Sequence, residues 1–173
     1  STITNEEWID FEVLAKEAEE ILSSKDYTAN AETLYQYGSS SGGARPKVFA
    51  KIGNKEWLVK FKSSNDSKEI GQVEYEYSLL AKECGIYMPE TKLIEGKYFA
   101  VERFDRTKEG KIHTISASGL LNADYRIPSL DYIELLKACA VLTHNMEEVY
   151  KLFRQMIFNI VISNRDDHSK NFS

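Results

Sequence analysis

The chain has 173 residues, of which 42% are hydrophobic and 28% charged, so it can bury a core and is unlike a disordered or low-complexity sequence. Its 22 Lys and Arg residues against 27 Asp and Glu residues give a formal net charge of −5. This charge argues against a broad nucleic-acid-binding surface, because such surfaces need an excess of cations. No apolar run reaches the roughly 20 residues of a membrane-spanning helix, and the polar, acidic start is unlike a signal peptide. Cys84 and Cys139 each lie in an apolar helical pattern, which predicts two buried free thiols in a soluble, cytoplasmic protein.

Residues 1–37 are predicted to form an N-terminal helical segment. Thr4 and Glu7 have the spacing of a capping box, in which each side chain bonds a backbone N–H group of the other residue. A second short amphipathic stretch lies near Ala31–Tyr37. The apolar stripe of the first helix, with a period of 3.6 residues, consists of Trp8, Phe11, Leu14, Ala18, Ile21 and Leu22.

Residues 38–106 are predicted to form a lobe of strands and one helix. After the Gly- and Ser-rich loop Gly38–Pro46, the strands Lys47–Ile52 and Glu56–Lys62 flank Gly53-Asn54, a two-residue hairpin signal. Alternation in the second strand places Trp57, Val59 and Phe61 on one face and Leu58, Lys60 and Lys62 on the other.

A helix and two more strands complete this lobe. Thr91–Ile94 and Tyr98–Phe104 are predicted to pair, and Gly85 stands just after the end of the helix. The inward stripe of the helix is predicted to consist of Ile70, Val73, Tyr77, Leu80, Ala81 and Cys84.

Residues 107–173 are predicted to begin a helical lobe. Thr107–Lys111 is a polar turn and Leu120–Ser129 an irregular connection. Helical patterns follow near Ser129–Leu142 and Met146–Ile162, and the second is apolar enough to predict a core helix. The predicted fold class is therefore α+β, with a mixed β-sheet lobe followed by the first helices of a helical lobe.

The densest group of polar residues, Asn164–Asn171, follows the last helical pattern. Asp166 and Asn171 have the Asp-x4-Asn spacing of a phosphotransferase catalytic loop, in which the carboxylate orients the attacking hydroxyl and the amide oxygen holds a metal ion. A solvated turn after a helix is the alternative, since this spacing is common by chance. A structural zinc site at His168 is discounted because no second His or Cys stands at ligand spacing. Bracing of the loop backbone is favoured over catalysis for His168.

Lys60 and Glu74 suggest a second part of such a site. Lys60 interrupts a hydrophobic strand after a Gly/Ser loop, as does the kinase lysine that contacts nucleotide phosphates. Glu74 lies on the inward stripe of the next helix, where an unpaired carboxylate would be costly, so we expect the two residues to form an ion pair. The ordinary alternative for Lys60 is a solvent-facing cation. The glycines and serines of the Gly38–Pro46 loop can cradle phosphate, although such loops are often only flexible connections.

The order of these parts along the chain is that of a protein kinase, and it places a nucleotide hinge at Glu102, Arg103 and Phe104. Three stretches together resemble the HipA-like bacterial serine/threonine kinases, the toxins of HipA/HipB-type toxin–antitoxin systems. They are Ser40–Lys47, Glu102–Arg106 and Asn164–Phe172, and the resemblance extends from about Gly38 to Ser173.

The resemblance implies a two-lobed, protein-kinase-like fold that binds ATP and Mg²⁺. It implies that Asp166 is the catalytic base and that Asn171 binds Mg²⁺, while Ser40 aligns with the phosphate-loop serine that autophosphorylates in that family. Lys60 would contact the ATP phosphates, and the other predicted nucleotide-site residues are Glu74, Glu102, Arg103, Phe104, Ser41, Gly42, Gly43, His168 and Lys170.

The resemblance also implies a protein substrate, with aminoacyl-tRNA synthetases such as glutamyl-tRNA synthetase among those of the family. The implied partner is a HipB-like DNA-binding antitoxin, through which any DNA contact would be indirect. The chain looks like a fragment that is inactive by itself, because family members continue into a second metal-binding Asp. Two other functions stay open: a small-molecule phosphotransferase, and a non-catalytic kinase-like binding module.

Overall fold

The computed structural model describes residues 2–3, 10–16, 45–63, 65–107, 109–120 and 131–164. It is a mixed α+β structure in which the chain divides into two compact units. The first unit contains Ser1–Leu80 and Met88–Lys108, and the second contains Ala81–Tyr87 and Glu109–Ser173.

The first unit is built on a five-stranded sheet with the strand order β1-β2-β3-β5-β4. Its first strand, β1, pairs parallel to β2, and the other neighbouring strands are antiparallel. The strands are β1 (Thr2–Ile3), β2 (Lys47–Ile52), β3 (Lys55–Lys60), β4 (Thr91–Ile94) and β5 (Tyr98–Glu102).

The predicted hairpin between β2 and β3 is confirmed. Gly53 has a φ of +62°, a conformation that glycine adopts without steric cost, and Val48 lies opposite Val59 in the paired strands. The predicted alternation in β3 is also confirmed, because Trp57 and Val59 are buried together with Phe61. The core of this unit consists of Phe11, Val48, Ala50, Trp57, Val59, Phe61 and Ala100.

The helical segment 11–16 contributes Phe11 to this core. Its N-terminus is capped by Asp10, whose Oδ1 accepts hydrogen bonds from the backbone N–H groups of Glu12 at 3.0 Å and Val13 at 3.1 Å. Because Asp10 itself is not helical, the prediction of one helix that carries both Trp8 and Phe11 is wrong at this residue. The Thr4–Glu7 capping box and the stretch 31–37 lie outside the described residues.

Helix α1 (Ile70–Glu83) has the predicted position, and Gly85 follows it with a φ of +73°. Its predicted buried stripe is confirmed at Ala81 and wrong at Val73, Tyr77, Leu80 and Cys84, which are exposed. The other residues packed inward are the small ones, Gly71 and Ser78. A Cβ on Gly71 would lie 1.9 Å from the carbonyl oxygen of Lys97, so the helix backbone approaches the sheet too closely for large side chains. Those side chains are displaced to the flanks, and Val73, Tyr77 and Leu80 are exposed.

The second unit contains helices α2 (Ala117–Leu120), α3 (Tyr132–Thr143) and α4 (Met146–Val161). Helix α3 begins with a capping box between Asp131 and Glu134, and the side chain of Asn145 caps α4. Two short strands, β6 (Arg106–Thr107) and β7 (Gly110–Lys111), stand where a polar turn was predicted.

The prediction that α4 is a core helix is wrong for the structure as described. None of its residues is buried, and Phe153, Ile157 and Ile160 are 45%, 42% and 58% exposed. An apolar helix face requires a covering element to be buried, and few described residues cover this one.

The prediction of two buried thiols is also wrong, because Cys84 is exposed and Cys139 is half-buried. Within the described ranges, no helix is long and apolar enough to cross a membrane.

Candidate functional site

A cavity of about 420 Å³ lies in the first unit, where β3 ends, β5 begins and α1 starts. Six cationic residues and two carboxylates line it. This local excess of positive charge contrasts with the formal net charge of −5 of the whole chain, so the cavity favours an anionic ligand. The cationic residues are Lys16, Arg45, Lys60, Lys62, Lys68 and Lys97, and the carboxylates are Glu12 and Glu74.

Lys60 and Glu74 form the ion pair predicted from the sequence. The Lys60 Nζ atom lies 3.3 Å from Glu74 Oε2, and the two side chains are 34% and 20% exposed. Lys60 Nζ also lies 5.4 Å from the centre of the Phe99 ring, which faces Lys60 across the β3–β5 pair. The last residue of a strand and the second turn of a helix thus hold opposite charges against each other in the cavity.

Glu74 has a second cationic partner that the sequence did not reveal. Arg45 Nη1 donates a hydrogen bond of 2.5 Å to Glu74 Oε1. In contrast, Glu74 Oε2 is buried and has no hydrogen-bond partner among the described residues, although Lys60 is at ion-pair distance. One carboxylate therefore faces two cations, Arg45 at Oε1 and Lys60 at Oε2.

Arg45 is itself held by Asp66. The guanidinium donates two hydrogen bonds to this carboxylate, Nε to Oδ2 at 2.8 Å and Nη2 to Oδ1 at 2.9 Å. Asp66 also accepts bonds from the backbone N–H and the hydroxyl of Ser63, at 2.8 and 2.9 Å. The hydrogen bond from Arg45 lowers the pKa of Asp66 to about 2. The Ser63–Asp66 turn is a local sequence pattern, but Arg45 stands 21 residues before Asp66, so no local signal could predict this contact.

An apolar row lies beside Lys60 on the same face of the sheet. Leu58 is two residues before Lys60, so both side chains point to this face. Phe49 and Val101 lie directly opposite Leu58 on the two neighbouring strands, and all three side chains are half-buried. This apolar row adjoins Lys60, and the Arg103 guanidinium lies over the Phe49 ring at its edge, 4.1 Å from the ring centre.

The predicted hinge has a different character at each of its residues. The backbone N–H of Glu102 donates to Glu90 O at 2.8 Å and that of Arg103 to Glu56 O at 2.9 Å, so both groups are engaged within the protein. The Arg103 side chain is 9% exposed and belongs to an ionic cluster, whereas Phe104 is 55% exposed. Phe104 is therefore the residue of this stretch whose side chain is open to a ligand.

The remaining predicted site residues lie outside the described residues. In the ranges that the structure describes, no group of three His, Cys, Asp or Glu side chains could hold a metal ion. The residues outside the described ranges are Ser40, Ser41, Gly42, Gly43, Asp166, His168, Lys170 and Asn171.

Comparison with known proteins gives two matches. Residues 39–173 match the family model described as HipA-like C-terminal domain. The protein named Putative kinase Y4dM from Sinorhizobium fredii (strain NBRC 101917 / NGR234) is 25% identical over 134 residues. That alignment covers 68% of this chain and 32% of the relative, so the chain spans about a third of the length of the curated relative that it matches.

Proposed function

Because the chain belongs to the HipA-like C-terminal domain family, we propose that it forms the nucleotide-binding part of an ATP-dependent protein serine/threonine kinase. The observation that carries this proposal is the Lys60–Glu74 ion pair, 3.3 Å apart in a cavity with six cations and two carboxylates. A lysine held by a helix carboxylate at a phosphate-accepting cavity is the arrangement that kinases use for ATP.

The residues present fit a bound ATP. The cavity is lined by six cationic side chains and two carboxylates, and this excess of positive charge suits the anionic phosphates of ATP. Lys60 would hold the phosphates, and the row Phe49, Leu58 and Val101 would hold the base. When bound, ATP supplies the transferable γ-phosphoryl group and Mg²⁺ neutralises its charge. Lys60 contributes a fixed positive charge, and Glu74 holds that charge in place.

The catalytic roles in this proposal follow the resemblance. Asp166 would accept the proton of a protein serine or threonine hydroxyl, and Asn171 would bind Mg²⁺. Ser40, Ser41, Gly42 and Gly43 would form the phosphate loop, with Ser40 as an autophosphorylation site. His168 and Lys170 would line the nucleotide site.

The partners in this proposal also follow the resemblance. The whole protein would act as the toxin of a cytoplasmic toxin–antitoxin pair, on a protein substrate such as an aminoacyl-tRNA synthetase. It would be neutralised by a HipB-like antitoxin, which would make the contact with DNA.

The first experiment measures nucleotide affinity. The chain is titrated with the fluorescent analogue TNP-ATP in the presence of Mg²⁺, as wild type and as Lys60→Met. The matched control is Lys51→Met, which removes an exposed lysine of β2 that does not line the cavity. We expect affinity to fall at least about tenfold for Lys60→Met only, because a charge-assisted contact is lost. Absence of binding by the wild type, or equal losses in both variants, would contradict the proposal and favour a non-catalytic module.

The second experiment separates the two enzyme classes. The whole protein is incubated with radiolabelled ATP, Mg²⁺ and either a mixture of proteins or a set of small hydroxyl compounds. Label on protein serine or threonine is expected. Label confined to the small acceptors would replace the protein kinase with a small-molecule phosphotransferase.

A further inference from the structure

We propose that Arg45 and Asp66 are positioning residues for Glu74: Asp66 fixes the guanidinium of Arg45, and Arg45 turns the Glu74 carboxylate toward Lys60. The inference rests on the proposed function insofar as it assigns Lys60 to a nucleotide. It assigns a role to two residues that are not among the predicted site residues.

The two oxygens of Glu74 serve different cations. Oε1 accepts from Arg45 Nη1 at 2.5 Å, and Oε2 lies 3.3 Å from Lys60 Nζ. A carboxylate bound through one oxygen alone can rotate about its terminal bond, because that torsion is broad. Arg45 removes this freedom, since its contact with Oε1 leaves Oε2 directed at Lys60.

The geometry of Arg45 depends on Asp66. Two of its nitrogens, Nε and Nη2, are bonded to Asp66 at 2.8 and 2.9 Å, and the remaining nitrogen, Nη1, points to Glu74. This planar fork can span two carboxylates at fixed angles, whereas a lysine would offer a single point charge. The positioning function is therefore specific to arginine at residue 45.

Asp66 can influence a ligand only through this connection. It does not line the cavity, whereas Arg45, Glu74 and Lys60 all do. Its own position is set by Ser63, which donates to Oδ2 through its backbone N–H at 2.8 Å and its hydroxyl at 2.9 Å. Ser63, Asp66, Arg45, Glu74 and Lys60 thus form one continuous chain of polar contacts that ends in the cavity.

The test uses the full chain and two readouts, one of which needs no nucleotide. Acylation of Lys60 by limiting acetic anhydride is followed by peptide mass spectrometry, with exposed Lys51 as the internal reference. Affinity for TNP-ATP is measured in parallel. The variants are Asp66→Asn, Arg45→Lys, Glu74→Gln and the double variant Asp66→Asn/Glu74→Gln. Glu90→Gln is the matched control, because it removes a carboxylate from an exposed ion pair with Lys55 in the same unit.

Asp66→Asn should release Arg45 to bind both oxygens of Glu74 and so weaken the hold of Glu74 on Lys60. We expect Lys60 acylation to rise about threefold and TNP-ATP affinity to fall about fivefold, which is less than the loss of a whole charge-assisted hydrogen bond because Lys60 itself remains. Arg45→Lys should give the same direction of change, and Glu90→Gln should change neither readout. In the Glu74→Gln background, Asp66→Asn should add almost nothing, because its effect passes through Glu74.

Two results would overturn the inference. One is unchanged Lys60 acylation in Asp66→Asn, and the other is a full Asp66→Asn effect in the Glu74→Gln background, since a merely structural role would persist there. If Asp66→Asn fails to fold, Ser63→Ala, which loosens Asp66 without removing its charge, should raise Lys60 acylation by a smaller factor, and no rise would count against the proposal. Failure of the wild type to bind TNP-ATP would refute the proposed function, while the acylation readout would still decide this inference.

Discussion

The two ends of β3 each carry an arginine-centred ionic cluster, and the two clusters differ in one respect. At the start of the strand, Arg103 Nε and Nη2 bond both oxygens of Asp105 at 2.9 and 2.6 Å, and Nη1 reaches Glu56 at 3.3 Å. Arg106 donates a third hydrogen bond to the Asp105 carboxylate, at 2.7 Å. At the other end, Arg45 likewise spans two carboxylates, but one of these, Glu74, keeps an oxygen without a hydrogen bond among the described residues.

This difference separates a structural cluster from a candidate ligand site. The Arg103 cluster is satisfied within itself: the arginine is 9% exposed, and its guanidinium carbon lies 4.1 Å from the centre of the Phe49 ring. None of its members lines the cavity. The Arg45 cluster opens into the cavity. The lining of this cavity has six cationic side chains and only two carboxylates, so its positive charge is only partly balanced. The spacing of sequence motifs does not distinguish the two arginines, whereas their positions relative to the cavity do.

The largest expected effect comes from breaking the satisfied cluster. Arg103→Ala leaves Asp105 and Glu56 without their main partner, and removing one side of a mostly buried ionic cluster should lower the free energy of unfolding by about 3 kcal/mol. Urea unfolding followed by tryptophan fluorescence measures this change in the first unit, which contains both tryptophans of the chain, Trp8 and Trp57.

The comparison also predicts what Arg103→Ala leaves unchanged. In urea-free buffer, the folded fraction should keep the wild-type acylation of Lys60, because Arg103 does not line the cavity that contains Lys60. A variant with wild-type stability and raised Lys60 acylation would reverse the roles assigned to the two clusters.

A smaller effect is expected from moving the helix that carries Glu74. In Gly71→Ala, the new Cβ would lie 1.9 Å from Lys97 O, so the first turn of α1 must shift. Steric overpacking of this kind should cost about 2 kcal/mol. Because Glu74 lies one turn further along α1, its contact with Lys60 should lengthen. Lys60 acylation should therefore rise, and TNP-ATP affinity should fall.

Gly96→Ala is the control for Gly71→Ala. Gly96 has a φ of +67°, and a Cβ added to it would meet no atom within 4 Å, so alanine there strains the backbone by about 1 kcal/mol without displacing α1. Equal effects of the two variants on the acylation of Lys60 would show that general destabilisation, rather than the position of Glu74, controls this contact.

The sequence predicted most strands of the first unit because their patterns are local. The alternation in β3, the Gly53 turn and the Gly85 helix end each depend on a few consecutive residues, and each is confirmed. The pairing of β1 with β2 was not predicted, because two residues carry no pattern. The buried face of α1 was misassigned, since hydrophobicity favoured the large residues, whereas close approach to the sheet required small ones such as Gly71 and Ser78.

The candidate site, like the fold, could be predicted only in part. The Lys60–Glu74 pair followed from a physical requirement, namely that a carboxylate on an inward helix face needs a cation. No such requirement identified Arg45, which lies in the Gly/Ser-rich loop Gly38–Pro46 and resembles an ordinary surface cation. Its two carboxylate partners are 21 and 29 residues away, so only the folded structure could bring them together.

The smallest expected effect is a dependence of stability on pH, and it concerns the Arg45 cluster alone. The hydrogen bond from Arg45 lowers the pKa of Asp66 from its ordinary value of 3.8 to about 2. A carboxylate with a lowered folded-state pKa stabilises the fold above its unfolded pKa and loses that contribution as the pH falls through the folded value.

Between pH 5 and pH 2, the free energy of unfolding of the wild type should therefore fall by about 1 kcal/mol more than that of Asp66→Asn, once solvent screening is allowed for. Urea unfolding of both proteins at a series of pH values measures the difference, and Glu90→Gln, which leaves Asp66 and Arg45 in place, should keep the wild-type loss. A difference in stability between wild type and Asp66→Asn that does not depend on pH would show that Arg45 and Asp66 are not coupled by charge, and the chain of contacts from Ser63 to Lys60 would then be broken between Asp66 and Arg45.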